Sequence, residues 1–562
     1  MLDTYRVSLA SLDALAGGDR DVAVLRELMA ANRSHRLTLL RSILDRTRGT
    51  ALMGDLPALD DGWTLLAEVQ RIDPAAVEAV ITHPGTGLWA TRIHRKVGEG
   101  SDNLWTDLGY FHQLVATAAI RAGHDFRTWV PVWRGRVLLP TLGLADVPSS
   151  GEWNLAEVRG EGGDVLIVGP DGSTRLPADR ALDGPGWSAL RIVPSAGDVW
   201  LDDLDPYREY DGPVPPARLS AAAVGEWTAG LHATWELLTR HHPATAAELS
   251  AGMSTLVPHG TAPAPYSAAH QDAFGSVLLA LPADPVTFAE TLVHEFQHSK
   301  FAALMSLVDF LEPDGDNETP RLYAPWRDDP RTPIGVLHGM YSFFGVAAFY
   351  RDQWRVSTGP RATLAQFEFA YRRHQTERAI ESLRTGSALS SLGLRFLDKA
   401  EQRLREWAGE ALPADVLAAA RRANLDHSLT WRLRNLQPPA DAVTQLADAW
   451  SQGGPMPATT AGSRVTPAPG NVRDERLALV RASLAGATPR GAEADLALVE
   501  GRDAVDLYRR EVHANPASPT AWSGLALASG AGALMTRPEL VFAVYNETRA
   551  TADPVQLARW LG

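Results

Sequence analysis

The sequence predicts a mainly α-helical protein with a β-rich insert, an α+β chain, and three observations predict it. Apolar residues recur at helical spacing near the N-terminus. Short Val/Ile/Leu/Trp-rich runs replace that pattern over roughly residues 126–215. Helical spacing then returns and dominates to the C-terminus. At 562 residues the chain exceeds a single hydrophobic core. The expected organisation is an N-terminal helical region (1–125), a β-rich subdomain (126–215), a catalytic region (216–450), a linker (451–471) and a C-terminal helical subdomain (472–562).

The N-terminal helical region rests on Val22 to Arg48, where Val24, Leu25, Leu28, Leu37 and Leu40 follow helical spacing and Asp21 is placed to cap. A second helical run is expected from Asp102 to Arg121. The period then changes. Thr128 to Leu139, Asp164 to Val168 and Trp187 to Val193 are strand-like runs, with Gly169-Pro170-Asp171-Gly172 as a turn. Ser220 to Leu238 is helical again, and long helical runs follow at 360–411 and 413–450. Gly453 to Asn471, rich in Pro, Gly, Ala and Thr, has the composition of a linker. Ala504 to Ala528 looks like one tetratricopeptide unit. One copy does not make a solenoid, so a packed helical hairpin is expected.

Bulk properties exclude several functions. A hydrophobic share of 45% and a charged share of 21% describe a folded chain, and a net charge of −14 argues against a nucleic-acid partner. The chain has no cysteine, which removes disulfides, thiolate metal sites, iron–sulfur clusters and cysteine nucleophiles. Any transition metal must be held by His and carboxylates. Met1 to Ala16 lacks the apolar core of a signal peptide, and no uncharged run is long enough to span a bilayer. The expected location is cytoplasmic, with no membrane partner.

The chemistry concentrates after Asp284, in D-P-V-T-F-A-E-T-L-V-H-E-F-Q-H-S-K. Asp284 suits an N-cap, Pro285 the first helical position, and Pro313 sets the far limit. Phe288, Leu292, Val293, Phe296, Phe301 and Leu304 predict a buried helix. A spacing of four puts His294 and His298 one turn apart on the same face, where two imidazoles can share one metal ion with Glu295 beside it. Two core histidines satisfied by polar neighbours would be spelled the same way. Burying two imidazoles and a carboxylate without a shared task is costly, however. The segment therefore predicts a zincin-like HExxH helix in a helical core. Lys300 is expected to cap or solvate the helix. Gly275 to Leu281 reads as a strand, either an edge able to pair with an extended peptide or an interior strand.

The third ligand decides the enzyme class. The metzincin pattern needs Gly at position 301 and His at 304, where the chain has Phe301 and Leu304. Glu318, preceded by Asn317, stands at the distance a gluzincin protease would use, but in a turn-rich loop bounded by prolines. His338 is the better candidate, in an apolar segment that starts after Pro333 and is expected to be helical through Tyr350. Gly335, Gly339 and Gly345 there would permit close approach to the first helix.

From Ala273 to Arg351 the sequence resembles the HExxH-containing peptide-modification proteins, described as 2-oxoglutarate-dependent peptide β-hydroxylases of ribosomal peptide natural product pathways. The residues that carry the resemblance are A-E-T-L-V-H-E-F-Q-H-S-K (289–300), Y-A-P-W-R-D-D-P-R (323–331) and G-V-L-H-G-M-Y-S-F (335–343), in that order. Thr332 departs from an expected Arg-Pro pair. The resemblance implies non-haem Fe(II) held by His294, His298 and His338, with the remaining positions taken by 2-oxoglutarate and O2. It also implies a cation for the distal carboxylate of 2-oxoglutarate. Arg327 and Arg331 suit that task through paired hydrogen bonds, unless they pair with Asp328 and Asp329 on a loop surface. Tyr323 and Trp326 would wall the pocket or simply pack. Glu295 would be the general base of a zinc peptidase, whereas in an iron oxygenase it would orient a ligand or water.

The resulting expectation is an Fe(II)/2-oxoglutarate-dependent dioxygenase that hydroxylates a β-carbon in a ribosomally made precursor peptide, beside other peptide-tailoring enzymes. The alternative is a gluzincin-type zinc metallopeptidase with Glu295 as base and Glu318 as third ligand. A third class, a peptide-binding scaffold without catalysis, would draw on the large remainder of the chain.

Overall fold

Helix makes up 57% of the computed structural model, and an antiparallel sheet interrupts it, so the chain is mainly α with a β-rich insert. The structure describes all residues except 1–5, 102–103, 195–197, 261–265, 314–318, 459–461, 471, 473–474 and 549–551. The chain divides into two units: residues 1–15 with 19–308, and residues 309–562 with 16–18. The division falls just after the HExxH helix, inside the span 216–450. Apolar helical spacing runs on both sides of it, so composition does not mark the boundary.

In the first unit, Asp21 caps the Val22–Thr47 helix through the Ala23 N–H, as its position in the sequence suggests. Seven strands form an antiparallel sheet: β1 (Phe126–Trp133), β2 (Arg136–Leu139), β3 (Gly143–Asp146), β4 (Trp153–Glu161), β5 (Asp164–Val168), β6 (Ser173–Arg175) and β7 (Trp187–Ala189), in the order β6-β5-β4-β1-β2-β3-β7. The run Thr128–Leu139 is thus a hairpin, turned at Arg134 and Gly135, both with positive φ. The helix Tyr110–Arg121, buried from Tyr110 to Ile120, packs on β1 and β2 and gives this part its core.

A second sheet carries the functional region. Its strands are β8 (Arg191–Val193), β9 (Val199–Leu201), β10 (Thr255–Pro258), β11 (Ser267–Ala268) and β12 (Ser276–Leu279), in the order β11-β12-β10-β9-β8. The run Trp187–Val193 is therefore two strands in two sheets, parted at Leu190. The central strands β12, β10 and β9 run parallel, and β11 lies antiparallel on β12 at one edge. The segment 275–281 accordingly holds an interior strand. The reading of it as a peptide-binding edge is corrected, because both sides of β12 are already paired and all four of its residues are buried.

In the second unit, the helices Pro333–Val356 and Gly359–Gly386 pack along one another. The helical run 360–411 breaks before Ser390, whose hydroxyl caps Ser391–Ala408, and the run 413–450 breaks at Pro438-Pro439. Arg464–Val465, within the linker-like stretch, pairs as a short strand with Leu436–Gln437. The pair Val505–Ala514 and Pro519–Ser529 forms a helical hairpin around the buried Trp522, Tyr508 and Tyr545, without further repeats among the described residues. Across the described residues, no helix is long and apolar enough to cross a membrane.

Candidate metal centre

The HExxH helix spans Pro285–Met305, and the Asp284 carboxylate accepts from the N–H groups of Val286 and Thr287 at its start. Helices Val22–Thr47, Ala221–His241 and Pro243–Gly252 and strands β11 and β12 pack around it. From Leu292 to Leu304 every residue is buried except His294 and His298, which are half-buried. The one face of the buried segment left open is therefore the face that carries the two imidazoles.

Their Nε2 atoms lie 3.1 Å apart. Two nitrogens each about 2.1 Å from one ion and roughly at right angles are separated by about this distance. The histidine pair thus fits a shared metal ion as neighbouring ligands.

Glu295 points elsewhere in this arrangement. Its carboxylate is 3% exposed and is held by β11: the Ser267 hydroxyl donates to Oε1 at 2.7 Å, and the Ala269 N–H donates as well. Burial pushes its pKa up to about 7, against those two donors. Tyr210 joins the same edge, donating to the Ala268 carbonyl at 3.0 Å, and its hydroxyl is pushed up by burial and by the Glu295 charge. Sequence reading missed Ser267 and Tyr210, because no motif links them to the helix. The β11–β12 pairing brings Ser267 there, and Tyr210 reaches the same edge through the Ala268 carbonyl.

Lys300 corrects an expectation. It neither caps nor solvates the helix: its side chain is 1% exposed and its Nζ donates to Glu248 Oε1 at 2.7 Å. Its place on the inward face, opposite the imidazoles, forces the charge inside, where it needs a carboxylate partner.

His338 lies in the second unit, half-buried in the second turn of the Pro333–Val356 helix, with Val336, Leu337, Gly339 and Met340 buried around it. Thr332, the departure from the family pattern, caps this helix through its hydroxyl. Gly339 serves a neighbour within its own unit: a Cβ there would run into the Trp326 indole, which packs at a tilt on Phe343. Tyr323 donates to or accepts from His427 Nδ1 at 2.9 Å and packs on Trp431. Arg327 and Arg331 both bond to Asp329, at 2.7 and 3.2 Å, and each remains well exposed. Asp328 takes no part in that pairing and accepts from the Val472 N–H. Glu318 lies outside the described residues.

A second buried constellation escaped the sequence reading altogether. His83, Asp202 and Asp205 in the first unit place one ligand atom each within 4.8 Å of one another, all three buried. Burial, then the Arg36 charge, pushes His83 down to about 3, while burial and the Asp202 carboxylate push Asp205 up to about 7. A single His before a proline and an Asp-Asp-Leu-Asp segment carry no spacing signal by themselves. Compared with models of known protein families and with curated proteins, the chain matches none.

Proposed function

We propose that this chain is an Fe(II)/2-oxoglutarate-dependent dioxygenase that hydroxylates a β-carbon in a ribosomally made peptide. The observation that carries the reading is the pair of half-open imidazoles, His294 and His298, converging at 3.1 Å on an otherwise buried helix. The resemblance around 289–343 adds His338 as the third imidazole and favours iron over zinc. Bound Fe(II) would supply, with 2-oxoglutarate and O2, the oxidant that hydroxylation of an unactivated C–H bond requires.

The chain's own residues bind and orient. His294 and His298 would hold the ion. Arg327 and Arg331 share one carboxylate, Asp329, so the trio keeps a net positive charge for the distal carboxylate of 2-oxoglutarate. Glu295, gripped by Ser267 and Ala269, holds β11 against the helix. Among the described residues β11 has no strand on its outer side, so an extended peptide can add there by main-chain pairing.

The test is anaerobic loading with Fe(II), followed by 2-oxoglutarate, peptide and O2. One added oxygen atom and one succinate per turnover are expected, and cleaved peptide would overturn the reading. His298→Ala should lower metal affinity by more than about 100-fold, beyond the usual effect of outer residues, and abolish turnover. Arg327→Ala or Arg331→Ala should raise KM for 2-oxoglutarate about tenfold or more while changing stability by under about 1 kcal/mol.

One observation favours the second reading, a zinc metallopeptidase. Glu295, next to His294 in the chain, has a carboxyl that burial pushes up to about 7, a value suited to a general base near neutral pH. In that case Glu295 would act as general base, Glu318→Ala would remove the metal, and His338→Ala would not.

A further inference from the structure

We infer that His83, Asp202 and Asp205 form a second divalent-cation site, built from elements other than the HExxH helix. His83 immediately precedes the helix Pro84–Gly98, and Asp202 and Asp205 follow β9. All three are at most 2% exposed.

The imidazole is the independent observation. Both of its ring nitrogens are buried and have no hydrogen-bond partner. Nε2 faces Asp202 Oδ2 at 3.7 Å and Nδ1 faces Asp205 Oδ2 at 3.8 Å, too far for hydrogen bonds. A buried imidazole wedged between two carboxylates it does not touch is costly as it stands.

The carboxylates are prepared as ligands are. Asp202 Oδ1 accepts the N–H groups of Leu204 and Asp205, which leaves Oδ2 turned to His83. Asp205 Oδ1 accepts the Tyr207 N–H, and Oδ2 accepts the Tyr110 hydroxyl at 2.7 Å. Outer hydrogen bonds of this kind fix the orientation of metal-binding carboxylates. The cations whose charge acts on the cluster are engaged elsewhere: Arg208 donates to the carbonyls of Asp205 and Pro215, Arg36 to those of Ile81 and His83, and Arg121 to Thr141. None of these guanidiniums bonds to the two carboxylates, so a dication would neutralise them.

Space is also reserved. A Cβ at Gly85 would stand 2.9 Å from Asp205 Oδ2 and 3.1 Å from the His83 ring, so glycine permits the approach. Donors each about 2.1 Å from one ion lie about 3.0–3.5 Å apart, so one ring nitrogen and the two carboxylate oxygens, within 4.8 Å of one another, would draw together by up to about 1–2 Å on binding. One nitrogen with two carboxylate oxygens suits Zn²⁺, Mn²⁺ or Fe²⁺, rather than the all-oxygen shells of Ca²⁺ and Mg²⁺. The ion would tie the start of the Pro84–Gly98 helix to the end of β9.

The experiment uses the full chain, stripped with chelator and reloaded with Zn²⁺ or Mn²⁺ alone, with metal content measured per chain. His294→Ala/His298→Ala should retain one equivalent, and adding His83→Gln to that variant should remove it. Gly85→Ala in the same background should weaken the retained equivalent at least tenfold. No metal on the His294→Ala/His298→Ala chain, or metal that survives His83→Gln, would overturn the site. Because the retained equivalent is read where the HExxH pair is absent, failure of the oxygenase reading leaves the result intact. That background also needs no substitution in the cluster, so a folding defect of His83→Gln does not obscure the first comparison.

Discussion

The HExxH pair and the His83 cluster are both polar clusters of the first unit, yet they are supported in opposite ways. His294 and His298 stand on one continuous helix, where four residues of spacing and a capped start align them. His83, Asp202 and Asp205 come from a helix N-terminus and the end of a strand. They are held by main-chain N–H groups, a tyrosine hydroxyl and a glycine that leaves room. The helix site keeps one open face; the other is enclosed. A site meant to admit substrates needs the first arrangement, and one that only braces the fold can use the second.

Three measurements sharpen this contrast, the largest effect first. The helix site depends on what holds the opposite face of its helix, the buried pair of Lys300 with Glu248. Lys300→Ala should destabilise the first unit by about 3–5 kcal/mol in urea unfolding, because it strands a buried carboxylate. Lys300→Met with Glu248→Leu should restore most of that loss. If both variants cost the same, the pair does not anchor the helix.

Next comes a buried imidazole that belongs to neither site. His112 bonds to the Pro57 carbonyl at 3.1 Å, and burial pushes its pKa down from 6.5 to about 4. Above pH 6.5 it is neutral folded or unfolded. As pH falls below that, only the unfolded chain takes the proton, so stability drops and levels off below about pH 4. The loss from this group should be about 3 kcal/mol, and His112→Gln should flatten that limb of the stability–pH curve.

The smallest effect concerns Glu295. Ser267→Ala removes one donor from a carboxylate that is 3% exposed, which should cost about 1–3 kcal/mol. It should also lower affinity for the peptide more than for the metal, since Ser267 lies on the edge strand. An equal loss of both would place Glu295 at the ion instead.

Much of this was legible before any coordinates. Asp284, Pro285 and the apolar spacing set the HExxH helix, Asp21 set another, and the strand-like run from Thr128 lies in β1, where burial alternates over Phe126–Val130. Where sequence reading failed, the deciding contact was distant. Lys300 looked like a solvated end because Glu248 lies on another helix. Residues 275–281 looked as much like an edge as an interior because only β10 and β11, folded in on either side, make β12 interior.

The sequence by itself determined what depends on neighbours a few residues apart: helix starts, the one-turn spacing of two imidazoles, and the absence of any thiol. Tertiary structure alone decided what depends on elements meeting: Ser267 on Glu295, and His83 between Asp202 and Asp205. The reason is physical. Local periodicity is written in the order of residues, whereas the burial that turns an ordinary histidine or lysine into a site or a strut is created only when separate segments exclude water together.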